Sequence, residues 1–433
     1  MNSVTDRLSA TVAEGHSRKL GWADKSVQPA WYGRTTAEVR AAAPTLDELS
    51  TPMMTLDRGA IDDNLATMAK WCANLDLSHA PHGKTTMSPS LWQEQLGLGC
   101  WAITVANEPQ LRVARGAGVP RVIVANLFLH PAGLDWLAGE ITADPHFEFY
   151  CWVDSVESVR IMNAGLSDLR PGLQVHVLVE LGNSLARTGV RSVKEAHDVA
   201  DAVVSAEHLS LTGVAGWEGA VAHATDAISL NEVDEFLGAM LTLHGQLRRK
   251  YEVDTPILTA GGSVYFDRVA AIFGSEAAQG TRVVVRSGAY VVHDDGYYRG
   301  ATPNARGTGP QFRSAMSVWA RVVSMPEPGI AFLDAGKRDV PYDQGLPEIQ
   351  SLRRIELDGS IVTRPLAGHE LFETNDQHSF VRVPSDSPLQ VGDVVRLGLS
   401  HPCTAFDKWA LIPVVDDASA KIPRVVDLLR TYF

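Results

Sequence analysis

The sequence predicts an α/β fold: a (β/α)8 TIM-type barrel followed by a C-terminal, mostly antiparallel β domain. Three observations predict it. Between residues 51 and 300, eight short β-branched runs alternate with stretches of helical spacing. Beyond residue 300 the alternation stops and short strand-like runs take over. Glycine-, lysine- and arginine-bearing motifs fall at the ends of the runs, where the functional groups of such a barrel gather.

Taken in order, residues 1–50 are mixed and polar, with a helical pattern around Thr36 to Ala43, and read as an extension packed on the body. Residues 51–300 form the expected barrel. Its strand candidates are Leu77–Lys84, Trp101–Val105, Arg121–Ala125, Phe147–Val153, Gln174–Glu180, Leu209–Gly216, Pro256–Ala260 and Arg282–Arg286. Helical spacing fills the gaps at Arg58–Leu75, Glu108–Ala117, Val156–Ala164, Val193–Ser205, Asn231–Lys250 and Asp267–Phe273, several of which stop at glycine. An open doubly wound sheet is the alternative, but this many units in so short a span fit a closed barrel better. Residues 301–433 form the second domain. It opens on a Gly/Pro/Thr/Asn-rich linker or flap at 301–312 and continues as Ser317–Ser324, Ile330–Asp334, Ser351–Leu357, Phe380–Val383 and Asp393–Leu397. A helical pattern returns only in the last dozen residues.

Composition narrows the class. A net charge of −13 argues against nucleic acid or an anionic membrane as the main partner. The four cysteines, Cys72, Cys100, Cys151 and Cys403, form no CxxC pair, so neither a disulfide framework nor a zinc finger is expected. No apolar run nears the roughly 18 residues of a membrane span, and Met1 to Ser17 hold no apolar signal core. A reducing cytoplasm is the expected compartment.

Four places carry chemistry. Lys84, in Pro81-His82-Gly83-Lys84-Thr85, has uncharged sequence neighbours at the end of the first run. Such an amine can lose its proton and condense with an aldehyde cofactor; the alternative is a surface lysine in a loop. Gly261-Gly262-Ser263, after the seventh run, presents small residues whose N–H groups suit a phosphate, although Gly-Gly-Ser also makes ordinary turns. Arg286 to Tyr290 lies next door and could complete the cradle. Arg187 follows the fifth run, where a guanidinium suits a ring nitrogen or a carboxylate, or simply faces water. His401-Pro402-Cys403 places an imidazole and a thiol on one side of an extended segment, two ligands fit for Zn²⁺, or else a chance pairing.

These motifs together resemble the D-serine dehydratase and D-threonine aldolase family, pyridoxal-phosphate enzymes of fold type III with an alanine racemase-like barrel. The resemblance spans Thr51 to Pro413. Besides the motifs above it rests on Ile103 to Ala106, Glu108, Val124-Ala125-Asn126, Arg187-Thr188-Gly189-Val190, Gly288-x-Tyr290 and Asp334-Ala335-Gly336. It implies that Lys84 carries pyridoxal 5'-phosphate, with His82 beside it. Gly261, Gly262, Ser263, Gly288 and Tyr290 would hold the phosphate, Arg187 would lie near the ring, and His401 and Cys403 would bind Zn²⁺. The aldolases of the group carry His-x-Asp and harder metals such as Mn²⁺ or Mg²⁺, so Cys403 tilts the expectation to zinc and dehydration. The chain departs from the group in the four residues between Gly182 and Arg187, in Asp376-Gln377-His378 where the aldolases have Glu-His-Gly, and in the extension 1–50. It looks like a divergent, amino-acid deaminase-like branch.

The resemblance implies a homodimeric lyase turning a D-configured β-hydroxy amino acid, such as D-serine or D-threonine, into a 2-oxo acid and ammonia. The alternatives are an aldolase releasing glycine and an aldehyde, and a non-catalytic pyridoxal-phosphate carrier. A racemase would need a second base on the opposite face; Tyr342 is the residue one could offer.

Overall fold

The computed structural model describes residues 2–184 and 187–433. Eight parallel strands form the barrel: Ser78–His79, Ile103–Val105, Arg121–Leu127, Glu148–Val153, Val175–Leu181, Leu209–Gly216, Ile257–Ala260 and Arg282–Val285. Each pairs with its successor from the second to the eighth, and the eighth pairs with the first. Between the first and second, Trp101 N–H donates to His79 O and Thr104 N–H to Pro81 O, which closes the ring. All eight strand candidates lie on observed strands, because strands covered on both faces read as unbroken apolar runs. The first is shorter than expected: it ends at His79, and Gly83–Thr85 is a 3-10 turn.

The expected helices form nearly as read, and two more, Pro89–Gly97 and Pro131–Ala143, join them. Each of the two starts on a proline, which reads as a break but suits a first helical turn, where no N–H is needed.

The second sheet has ten mostly antiparallel strands. Two of its members correct the sequence reading. Met53–Asp57, placed in the barrel segment, instead pairs antiparallel with Met316–Glu327 and parallel with Leu411–Val415. Val425–Arg430, read as helical, is a strand paired with Leu411–Val415; an available sheet edge outweighs weak helical spacing.

The N-terminal residues cover this sheet. Leu20, Val27, Trp31, Val39 and Leu46 bury themselves against Trp319, Leu411 and Val425. Helix Asn2–Ser17 reaches the barrel, where Gln93 Nε2 donates to Ser9 Oγ at 2.7 Å. Among the described residues no helix is long and apolar enough to cross a membrane.

Candidate active site

A cavity of about 470 Å³ opens at the C-terminal ends of the barrel strands. Lys84 lines it from the turn after the first strand. Gly83 lets that turn sit down: a Cβ there would lie 2.8 Å from both Ile103 Cγ2 and Trp92 Nε1. Lys84 is half-buried, and among the described residues it makes no ion pair. His82 lines the same wall, and its Nδ1 is buried without a partner. Burial, then the charges of Lys84, Arg286 and Arg187, hold its pKa well below the usual histidine value, so the ring is neutral.

His401 and Cys403 line this cavity too. The segment is not extended, as the spacing had suggested. His401 has φ of 49° and precedes a short helix, Pro402–Phe406, that carries Cys403. Such a left-handed conformation is strained for a residue with a side chain. It is held by His401 N–H donating to Asp294 Oδ2 at 2.9 Å. His401 Nδ1 lies 2.6 Å from Asp343 Oδ2, while Thr404 Oγ1 donates to Asp343 Oδ1 at 2.7 Å. Burial works to lower the His401 pKa, but hydrogen bonding to Cys403 and the Asp343 carboxylate outweigh it and raise it to about 9. For Cys403, burial pushes the thiol up; bonds to His401 and Thr85 and the Lys84 charge reverse this and leave it below the ordinary value. Cys403 Sγ is 3.4 Å from Thr85 Oγ1, the residue next to Lys84. The amine and the imidazole–thiol pair therefore meet within one chain, although more than three hundred positions separate them.

The glycine turn differs from its sequence reading. Gly261 N–H and Gly262 N–H line the cavity but donate to Glu218, at 2.9 Å to Oε2 and 2.6 Å to Oε1. Glu218 is wholly buried. Beside them stand Ser263 and the turn at Gly288–Ala289, where Ala289 N–H donates to Ser263 Oγ at 3.3 Å. Gly288 is packed on the backbone of His82, so no side chain fits there.

The Tyr290 side chain turns away from the cavity. Its ring lies in the core between His79 and Phe312, its hydroxyl accepts from Gln95 Nε2 at 3.1 Å, and its side chain does not line the cavity. Gly288 and Ala289 of that segment line the cavity. Tyr342 is half exposed and lies outside the cavity lining.

Arg187 does line the cavity, its guanidinium 4.6 Å from the centre of the Trp217 ring. Leu185 and Ala186 of its loop lie outside the described residues. Arg286 is buried at the strand ends, donating to Thr259 Oγ1 and Gly216 O, each at 2.6 Å. Burial lowers its pKa to about 10 against the pull of Glu218 and Glu180. Glu180 has an unpartnered Oε2, and burial raises its pKa over the opposing Thr188 bond and the Arg187 and Arg286 charges. Sequence reasoning missed Glu218 and Asp343. Glu218 follows the sixth strand closely and so had a positional signal; Asp343 lies in a loop with none.

With this geometry in hand, the class is an alanine racemase-like barrel joined to a β domain, and alanine racemases are among the solved structures that share it. Residues 315–415 match the family model of the putative serine dehydratase domain. The chain is similar to a D-threonine aldolase from Arthrobacter sp, 26% identical over 376 residues, 86% of this chain and 90% of that one. The structure of a D-threonine aldolase from Filomicrobium marinum matches with a TM-score of 0.74 and 23% identity, over 90% of this chain and 97% of that one. A D-threo-3-hydroxyaspartate dehydratase from Delftia sp. HT23 matches with a TM-score of 0.69 and 20% identity, over 90% and 99%. The chain is thus similar to members of the D-serine dehydratase and D-threonine aldolase group of this fold, and residues 315–415 carry the match to the family model.

Proposed function

We propose that this enzyme is a pyridoxal-phosphate- and zinc-dependent lyase that converts a D-configured β-hydroxy amino acid to a 2-oxo acid and ammonia. The observation that carries the reading is the convergence of Lys84, His401 and Cys403 on one cavity.

The residues fit both groups. The cavity lies within the roughly 300–1,000 Å³ usual for small-molecule sites. It offers an amine that makes no ion pair among the described residues, and hydrogen-bonding groups at Ser263 and Ala289. Among the described residues no three His, Cys, Asp or Glu side chains gather for a metal, so His401 and Cys403 would supply two ligands and leave positions open for substrate. Asp343 on Nδ1 leaves Nε2 as the ligand nitrogen, the usual arrangement of a carboxylate behind a metal-bound histidine. Variants of a D-threo-3-hydroxyaspartate dehydratase at a histidine and at a cysteine two positions on, the latter a metal-free form, support assigning the same spacing here.

When bound, pyridoxal phosphate supplies an electron sink for charge at the substrate α-carbon, and zinc supplies a Lewis acid for the β-hydroxyl. Lys84 would hold the cofactor through its amine, and that amine is the group placed to take the substrate α-proton. Arg187, over Trp217, lines the cavity and would meet the cofactor ring or the substrate carboxylate. Thr85 keeps Cys403 in register with the lysine turn. Loss of the α-proton and the β-hydroxyl leaves an enamine, which after release takes up water to give the 2-oxo acid and ammonia.

The relation to D-threonine aldolase supports a second reading, cleavage of Cα–Cβ to glycine and an aldehyde. D-Threonine separates them: 2-oxobutyrate marks dehydration, acetaldehyde with glycine marks aldol cleavage. We expect 2-oxo acid release from D-serine or D-threonine that stops with a chelator and returns with zinc. Cofactor absorbance without turnover of any D-amino acid, metal supplied, would overturn the proposal in favour of a carrier.

A further inference from the structure

A carboxylate already sits where the sequence placed the cofactor phosphate. Glu218 accepts from two successive backbone N–H groups, Gly261 and Gly262, and is closed off from solvent. It stands on its own 3-10 turn, Glu218–Ala220, directly after Trp217. Space around the pair is tight: a Cβ on Gly262 would lie 3.1 Å from Trp217 Nε1 and 3.6 Å from Glu218 Oε1. Arg286 lies close enough to offset the charge of Glu218. Two backbone N–H bonds converging on one buried carboxyl group hold the turn and the side chain together, since breaking either would leave a buried donor unpaired.

Resting on the cofactor reading above, we propose that Glu218 is a positioning residue, an internal anion that ties down the Gly261–Gly262 turn so that the cofactor phosphate is received by the donors beyond it, Ser263 and the Gly288–Ala289 turn. Gly261 has φ of +105°, a conformation a glycine turn can leave easily unless something holds it. Glu218 holds it, and Ser263 follows at the next position, aimed at Ala289 N–H.

The test compares cofactor with and without its phosphate. Apo wild-type and Glu218→Gln protein are titrated with pyridoxal phosphate and with pyridoxal, reading the visible absorbance of the bound aldehyde. The glutamine sets an NH2 against one of the two N–H donors. Pyridoxal phosphate affinity should fall about tenfold or more, while pyridoxal affinity stays within about twofold. Glu218→Asp, which keeps the charge but reaches only one amide, should give a smaller loss of the same kind and serves if the glutamine variant does not fold. Three results overturn the inference: tighter pyridoxal phosphate binding, which would make Glu218 a competitor of the phosphate; equal losses for both aldehydes, which would make it a general prop; or no change in either. A wild-type protein that binds neither aldehyde would instead refute the cofactor reading itself.

Discussion

Adding a single methyl group at Gly288 tests whether the two halves of the site are pressed together as described. A Cβ at Gly288 would stand 2.9 Å from His82 N and 3.0 Å from His82 C, and nearer still to His82 O. All three are backbone atoms, so no side chain can swing aside. Ordinary contact begins near 3.4 Å, so the two segments must part by about half an ångström or more. Overpacking of this kind costs about 1–3 kcal/mol. The displaced segment is the one that carries Lys84, two residues on, and misplacement near 1 Å can cost about 100-fold in rate. Gly288→Ala should therefore lower the melting temperature and weaken pyridoxal phosphate binding by about 10- to 100-fold. Gly139→Ala is the control. It lies in helix Pro131–Ala143 with nothing within 4 Å of the added carbon, and should stabilise by roughly 0.5–1 kcal/mol. Differential scanning calorimetry and a cofactor titration on both variants decide the matter. If Gly288→Ala melts with Gly139→Ala and binds the cofactor as wild type does, the His82–Gly288 contact is not where it is described.

Other substitutions probe other links. Asp343→Asn should reduce zinc affinity by about 10- to 100-fold while leaving cofactor absorbance intact, since it acts only through His401; unchanged zinc retention in equilibrium dialysis would remove Asp343 from the metal site. Tyr290→Phe should cost about 1–2 kcal/mol in urea unfolding by leaving Gln95 Nε2 without its partner, with pyridoxal phosphate affinity unchanged; a weakened affinity would return Tyr290 to the phosphate site. Burial lowers the pKa of His79, His244 and His293 to about 4 each. They stay neutral in the fold while the unfolded chain takes up protons near pH 6.5. Their stabilisation is thus complete above about 6.5 and is lost as pH falls toward 4, at up to about 1.4 kcal/mol per pH unit for each. The urea midpoint should drop steadily over that range, and a flat profile would mean that these rings are solvated.

How much of this was legible depended on the kind of information each residue carries. The strand Leu209–Gly216 is buried at every position, so its sequence could be nothing but apolar and small. Lys84, His401 and Cys403 announced themselves by residue type, and the structure brings them to one cavity. Met53–Asp57 is equally buried, but nothing in five such residues says which of two sheets will take them. Tyr290 follows a glycine motif whose backbone does reach the site, and the direction of its ring was decided by the space beside His79 and Phe312. Gly261 and Gly262 read as a phosphate-binding turn; their N–H groups meet a carboxylate side chain from another strand end, and partners that distant leave no local signal.

The strand that sequence reasoning misplaced also explains how such distant residues stay aligned. Met53–Asp57 lies inside the C-terminal sheet, between Met316–Glu327 and Leu411–Val415, and runs straight into the first barrel helix, Arg58–Asn74. Asp57 fastens the junction with both oxygens: Oδ1 caps the helix by accepting from Ala60 N–H at 2.8 Å, and Oδ2 accepts from Ala418 N–H at 2.8 Å. Asn64, two turns along that helix, bonds Val291 O and Arg313 O, tying it to the segments that leave the barrel. The helix leads to the first barrel strand and so to Lys84, while Leu411–Val415 comes shortly after His401 and Cys403. The strand that leads toward Lys84 and the strand that follows Cys403 thus pair side by side in one sheet. A site that must hold an amine and a metal on the same small molecule to within about half an ångström needs that kind of frame.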